Sequence, residues 1–216
     1  MNTDYNHLEL DVCIDESLEM IYSHFMNDKY LPTFIDEYGE HCTSLIISAR
    51  GLWLMQFYKS IPYYEERWDE LLAKVQHVIY PSWFSDLNVD RGLVLYYYIK
   101  SHSSYSEESE KLFNLLIDNY TNGKISSCEG KLSALLACSV FISTFYFRIK
   151  LSNYISPIIK LSDECLSLQN QDGNWNPSKI GYFGFDLYYA DSIFTCSLGI
   201  LAVMHFNEAA ELIKKF

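Results

Sequence analysis

Basic residues are scarce in this chain of 216, which carries 16 lysines and arginines against 28 aspartates and glutamates for a formal charge of −12. That balance excludes nucleic acid as a partner, because phosphate binding needs clustered Lys and Arg to release counterions. Anionic membrane surfaces are disfavoured for the same reason. Proline and glycine are also few, and no Pro-, Gly- or Ser-rich stretch divides the chain. One domain over residues 1–216 is therefore expected, with 1–33 as an N-terminal helical extension. The two most apolar runs, 132–147 and 193–206, fall short of the roughly 20 residues that cross a bilayer, and both contain Ser, Thr or Cys. They read as buried core helices, with no membrane span. The first thirty residues carry several acidic groups before any apolar run, unlike a secretory or transit signal, which predicts a cytoplasmic protein. The six cysteines never form a Cys-x-x-Cys pair and are expected to be free thiols.

What is present is helical periodicity. The chain is 49% hydrophobic, enough for a sizeable core, and no run shows strict apolar–polar alternation, so the expected class is all-α. Residues 65–79 place Leu71, Leu72, Val75, Val78 and Ile79 on one face with charges opposite, and 107–120 and 153–169 repeat the type. Between them lie segments that are apolar nearly all round, at 44–58, 91–100, 131–148 and 187–206, each expected to be surrounded by protein. Like segments start roughly 40–60 residues apart, a helical-repeat spacing. Helix hairpins in two layers explain the alternation, with buried inner helices and half-exposed outer ones. A HEAT- or armadillo-like α-solenoid fits the same spacing.

Residues 165–175 read Cys-Leu-Ser-Leu-Gln-Asn-Gln-Asp-Gly-Asn-Trp. A helix ending in Gln169, a turn carrying Asp172 and Gly173, and Trp175 ahead of the next helix resemble the repeat motif of the terpenoid cyclase and protein prenyltransferase superfamily. The resemblance is clear in this one repeat. It implies an α/α toroid, which the Gln-Asp-Gly-Trp turn and the longer loop 170–185 favour over a solenoid. A complete ring in that family has more than the four hairpins this chain supplies, so the ring is expected to be incomplete, or completed by a second copy or a partner subunit. In the family the motif tightens the repeat without touching substrate, and Gln169, Gly173 and Trp175 are read as structural.

Parallel stacking would bring the starts of the inner helices to one mouth, where positive helix ends favour anionic groups. The sequence places His41-Cys42-Thr43-Ser44, Asp90-Arg91, Ser127-Cys128-Glu129 and Asp186 through Asp191-Ser192 there. Asp90, Ser127 and Asp186 read first as N-caps; His41, Cys42 and Cys128 are poor caps. The resemblance implies a cyclase-like enzyme in which Asp191, with Asp186 as neighbour, donates a proton and aromatic faces stabilise cations. Tyr188 and Tyr189 would then contact cation or substrate, Arg91 would lie near an anion, and Asp90 would join them as a substrate-binding residue. The adjacent second aspartate of the family's motif is missing. It equally implies a zinc enzyme that activates a substrate thiolate, as protein prenyltransferases and lanthionine-forming cyclases do, with His41, Cys42 and Cys128 as the ligand types. No cofactor other than zinc enters the reading. The alternative from a different class is a non-catalytic interaction module. The expected protein binds an apolar small molecule or a peptide in its lumen, within a biosynthetic or protein-modifying system.

Overall fold

The segments with helical spacing fold in chain order as α1 (His7–Asn27), α2 (Leu45–Met55), α3 (Tyr64–His77), α4 (Leu87–Ser101), α5 (Glu107–Thr121), α6 (Cys128–Phe145), α7 (Ile155–Ser167) and α8 (Ser192–Ile213). The protein is all-α in class. This computed structural model describes residues 7–27, 32–35, 41–43, 45–77, 87–102, 104–182, 185–188 and 192–215. They group into two units, Met1–Leu71 and Leu72–Phe216, with the division inside α3.

Within the all-α class the described residues also form two short antiparallel pairs. Strands β1 (Pro32–Ile35) and β2 (His41–Thr43) pair in the first unit, and β3 (Lys179–Tyr182) and β4 (Phe185–Tyr188) in the second. Three or four residues are too few for alternation to stand out against a helical background. Two helix starts also move. Helix α4 begins at Leu87, one turn before the segment expected at 91–100, and α8 begins at Ser192, after β4 has used the residues from 185.

In the first unit, Phe25 of α1 and Leu45, Ala49, Leu52 and Met55 of α2 are buried. The Tyr64 hydroxyl donates to the Leu52 carbonyl at 3.1 Å, and the Arg67 guanidinium donates to the carbonyls of Phe25 and Pro62. Glu19 accepts from the Tyr58 hydroxyl and pairs with Lys59, fastening α1 to the chain beyond α2.

The second unit is built around α6. Fifteen of its 18 residues are buried, because α4 and α8 pack along it while α5 and α7 also lie against it. The inner helices run parallel. Ser133 of α6 donates to the Asn88 carbonyl near the start of α4, and Glu129 of α6 meets Thr195 near the start of α8. Gly92 permits the α4–α6 approach, since a Cβ there would stand 2.6 Å from the Ser133 carbonyl oxygen. On the outer side, Phe113 of α5 stacks on Phe141 of α6 with centroids 4.4 Å apart, and Tyr154 meets Phe113 edge-on.

Local signals fix the helix ends. Ser106 and Ser109 form a reciprocal capping box at α5, and Ser127 accepts from the Gly130 N–H as the N-cap of α6. At the end of α7, Gly173 takes φ +80, a conformation natural to glycine. The Gln169 amide closes that turn on the Gly173 carbonyl at 2.7 Å. Trp175 forms a backbone bridge with Gln169 and donates its indole N–H to the Cys165 carbonyl of α7 at 2.8 Å. Its ring lies against Gly199 of α8, so the turn ties the two helices of its hairpin.

One expectation for α8 is corrected. Its inward face is buried through Leu198, Gly199, Ala202 and Ala209, but Ile193, Ile200 and Met204 are exposed by 77%, 55% and 58%. The helix has an uncovered apolar face because no further helix among the described residues packs beyond it. By length and composition α6 and α8 could each cross a membrane, but α6 is largely enclosed by its own protein.

Candidate functional site

The parallel inner helices bring the starts of α4, α6 and α8 to one end of the second unit. Asp90 and Arg91 lie within the first turns of α4 and do not cap it, because the helix starts three residues before Asp90. Asp90 is buried. The Arg91 guanidinium donates to the carbonyls of Val75 and Gln76 at 3.2 Å each, satisfying groups that the last turn of α3 leaves open. It also reaches the Asn88 side-chain oxygen at 3.5 Å, and Asn88 in turn bonds Asn119 and the Lys124 carbonyl. Arg91 thus fastens α3 to α4, in a network continued to α5.

At the start of α6 the fully buried Glu129 carboxylate accepts the Thr195 hydroxyl at 2.9 Å and the Ser178 N–H at 3.0 Å. Its place in the first helical turn favours negative charge. One side chain therefore joins α6, the segment after the Trp175 turn, and α8. Glu129 was expected at this mouth beside Ser127 and Cys128 but was given no role, and Thr195 was not anticipated.

Cys128 opens α6, its N–H bonded to the Ser178 hydroxyl oxygen at 2.6 Å. Burial first, then the neighbouring Glu129 carboxylate, pushes its thiol up to about 11. A neutral thiol is a poor nucleophile. His41 and Cys42 are on β2, paired with Ile35 and Phe34, so they do not stand at a helix start as expected. They belong to the first unit and Cys128 to the second. Among the described residues no group of three or more His, Cys, Asp or Glu is arranged to hold a metal. The expected ligand types therefore do not form a metal group among the described residues. Iodoacetamide at pH 8 is expected to alkylate native Cys128 about a hundredfold more slowly than an unperturbed thiol, as peptide mapping by mass spectrometry would read. Between pH 9, where the unfolded thiol titrates, and 11, the unfolded chain has lost a proton that the folded chain keeps, so this group's contribution to stability falls as pH rises.

Asp186 and Tyr188 are on β4, opposite Gly181 and Lys179, and so do not begin an inner helix. Tyr189 and Asp191 lie outside the described residues.

A second constellation forms on the inner helices nearer their middles. His205 of α8 places its ring 6.0 Å from that of Tyr96 of α4, although each of these helices packs on α6. A ring from each of the two helices that flank α6 thus meets the other beside it. Tyr97 lies 5.3 Å from Tyr96 edge-on, and the Lys100 ammonium stands 5.9 Å from the Tyr96 ring centre. Half-burial, and then Tyr97, raises the Tyr96 phenol, keeping it neutral and able to donate. The Glu208 carboxylate sits 2.9 Å from His205 Nδ1 and orients the imidazole. Tyr96 and Tyr97 were legible as inner-helix aromatics. The His205–Glu208 pair was missed, although its spacing of three on a helix is the signal that would have found it.

No family model, curated protein or solved structure matches this chain. The geometry is therefore what bears on function.

Proposed function

We propose that the protein is an α/α toroid-like binding protein that holds an apolar small molecule or a peptide against the concave side of α4, α6 and α8. The observation that carries this reading is the Tyr96–His205 contact, which sets rings of α4 and α8 together beside α6 and supports a concave, aromatic-lined inner layer. Aromatic rings supply large apolar area while their polar tips bond to a ligand. The Trp175 turn, which tightens α7 on α8 as the resembling family's repeat motif does, supports the toroid over the solenoid. The uncovered apolar strip of α8 at Ile193, Ile200 and Met204 is the edge where a further hairpin, a second copy or a partner subunit would complete the ring. The reading is of binding. Asp186 and Tyr188 sit in a hairpin strand, Arg91 is engaged in holding α3, and these placements lend no support to proton-initiated cyclisation.

The test is calorimetric titration with farnesol and with an uncharged Phe- and Leu-rich decapeptide. At least one should bind saturably, and Tyr96→Ala or His205→Ala should each weaken it about tenfold, the equivalent of one partly buried ring, with the melting temperature preserved. If neither probe binds, or if the double variant binds as the unaltered protein does, the concave face is not a ligand site.

A further inference from the structure

The outer layer holds a concavity that the inner-helix reading leaves unused. A cleft of about 690 Å³ opens between α5 and α7, with Lys131 of α6 among its walls. That volume lies in the range that takes a drug-sized ligand. Polar groups make up the larger share of its lining, Ile117, Ile125, Tyr154 and Pro157 supply the apolar part, and Tyr154 is held by its hydroxyl on Asn114 at 2.9 Å.

Charges of both signs line the cleft, and they divide into two kinds. Lys131 and Glu164 pair with each other at 3.2 Å. Burial opposes the charge on Glu164, but Tyr120 and Lys131 together hold its carboxyl below the usual range. That pair is internally satisfied. Asp118 and Lys160 also line the cleft, one on α5 and the other on α7, and among the described residues neither makes an ion pair, although Lys160 lies within electrostatic reach of Glu164 on the same helix. The hydrogen bonds at Asp118 are to its backbone carbonyl, from Thr121 and Asn122, so they do not engage its carboxylate.

One anion and one cation that make no ion pair of their own, facing a cleft whose lining is part apolar, call for a ligand that carries both charges around an apolar middle. We propose that this cleft binds a short zwitterionic peptide, its α-ammonium on Asp118, its α-carboxylate on Lys160 and its side chains against Tyr154 and Pro157. A cleft of this size exceeds the needs of a single amino acid. A nucleotide would need the lysines unopposed, whereas carboxylates stand beside them. The site is separate from the concave face of the inner helices, and either can fail without the other.

The experiment is titration of the full chain with Ala-Leu-Ala, its N-acetyl form, its C-terminal amide and the doubly blocked form. The free tripeptide should bind saturably, and each block should weaken binding about tenfold, as loss of one charge-assisted hydrogen bond does. Lys160→Gln should erase the penalty of amidation and leave that of acetylation, and Asp118→Asn should do the reverse. Both residues are at exposed positions, so an unchanged melting temperature is the control for folding. Tyr96→Ala should leave tripeptide binding untouched, which separates this site from the inner one. Equal binding of the free and doubly blocked tripeptides, no binding up to about 10 mM, or variants that keep both penalties would overturn the assignment.

Discussion

Trp175→Ala is expected to destabilise the Leu72–Phe216 unit by about 3–5 kcal/mol, the range for removing a large aromatic side chain from a packed site. The side chain is 3% exposed. It fills the space over Gly199, where even a methyl group would come within 2.4 Å of the indole, so the two surfaces are already in close contact. Truncation also strands the Cys165 carbonyl, which accepts the indole N–H near the end of α7. Trp175→Phe separates the two effects, keeping most of the volume and losing the donor, at about 1–3 kcal/mol. Urea denaturation read by far-UV circular dichroism measures both. A loss under about 1 kcal/mol for the alanine variant would mean that the turn does not clamp α7 to α8.

Gly92→Ala should cost about 3 kcal/mol or more, at the upper end of what overpacking does in a core. Helix propensity acts the other way, since alanine is favoured over glycine by about 1 kcal/mol inside a helix. Packing wins because the obstacle is backbone. The added Cβ would lie 2.6 Å from the Ser133 carbonyl oxygen and 2.7 Å from its carbon, and neither can rotate aside as a side chain could. Helices α4 and α6 would have to part, breaking the Ser133 hydroxyl bond to Asn88. Thermal denaturation checks the sign. A variant as stable as the parent would show that the two helices slide past each other at low cost.

Much of this architecture was written in local pattern. Helices α3, α5 and α7 are amphipathic because each borders solvent on one side, and charge opposite an apolar stripe makes that visible without knowledge of neighbours. The nearly unbroken apolar run of α6 likewise announced its enclosure. The turn from Gln169 to Trp175 was legible because it depends on residues within seven positions of one another, including a glycine at positive φ. The same pattern misled at α8, whose composition resembles that of α6 although Ile193 and Met204 face outward. Composition reports what a surface would suit, and it does not report whether another element arrives to cover it.

The misses at the site share a cause. Glu129 is defined by Thr195, 66 positions away, and Tyr96 by His205 across an intervening helix. No local window contains both partners of either pair. The hairpin of β3 and β4 left a fainter trace, with Ile180 and Tyr182 before Gly184 and Phe185 and Leu187 after it, which is hairpin chemistry placed where a loop and then the first residues of a helix were expected. Arg91 was read as an anion contact from its residue type and its place near a helix start. Its bonds to Val75 and Gln76 come from the fold bringing the end of α3 alongside.

The enclosure of α6 bears on how the molecule opens. A helix with α4 and α8 along its length and α5 and α7 also against it has no exposed side from which to fray. Its amide protons reach water only when neighbours on several sides let go together, so their exchange follows the unfolding of the entire second unit. Helix α8, flanked by protein over only part of its surface, can loosen while the rest holds. The protein thus has a slow-exchanging axis and a fast-exchanging margin, and that margin is the apolar edge on which a partner would act.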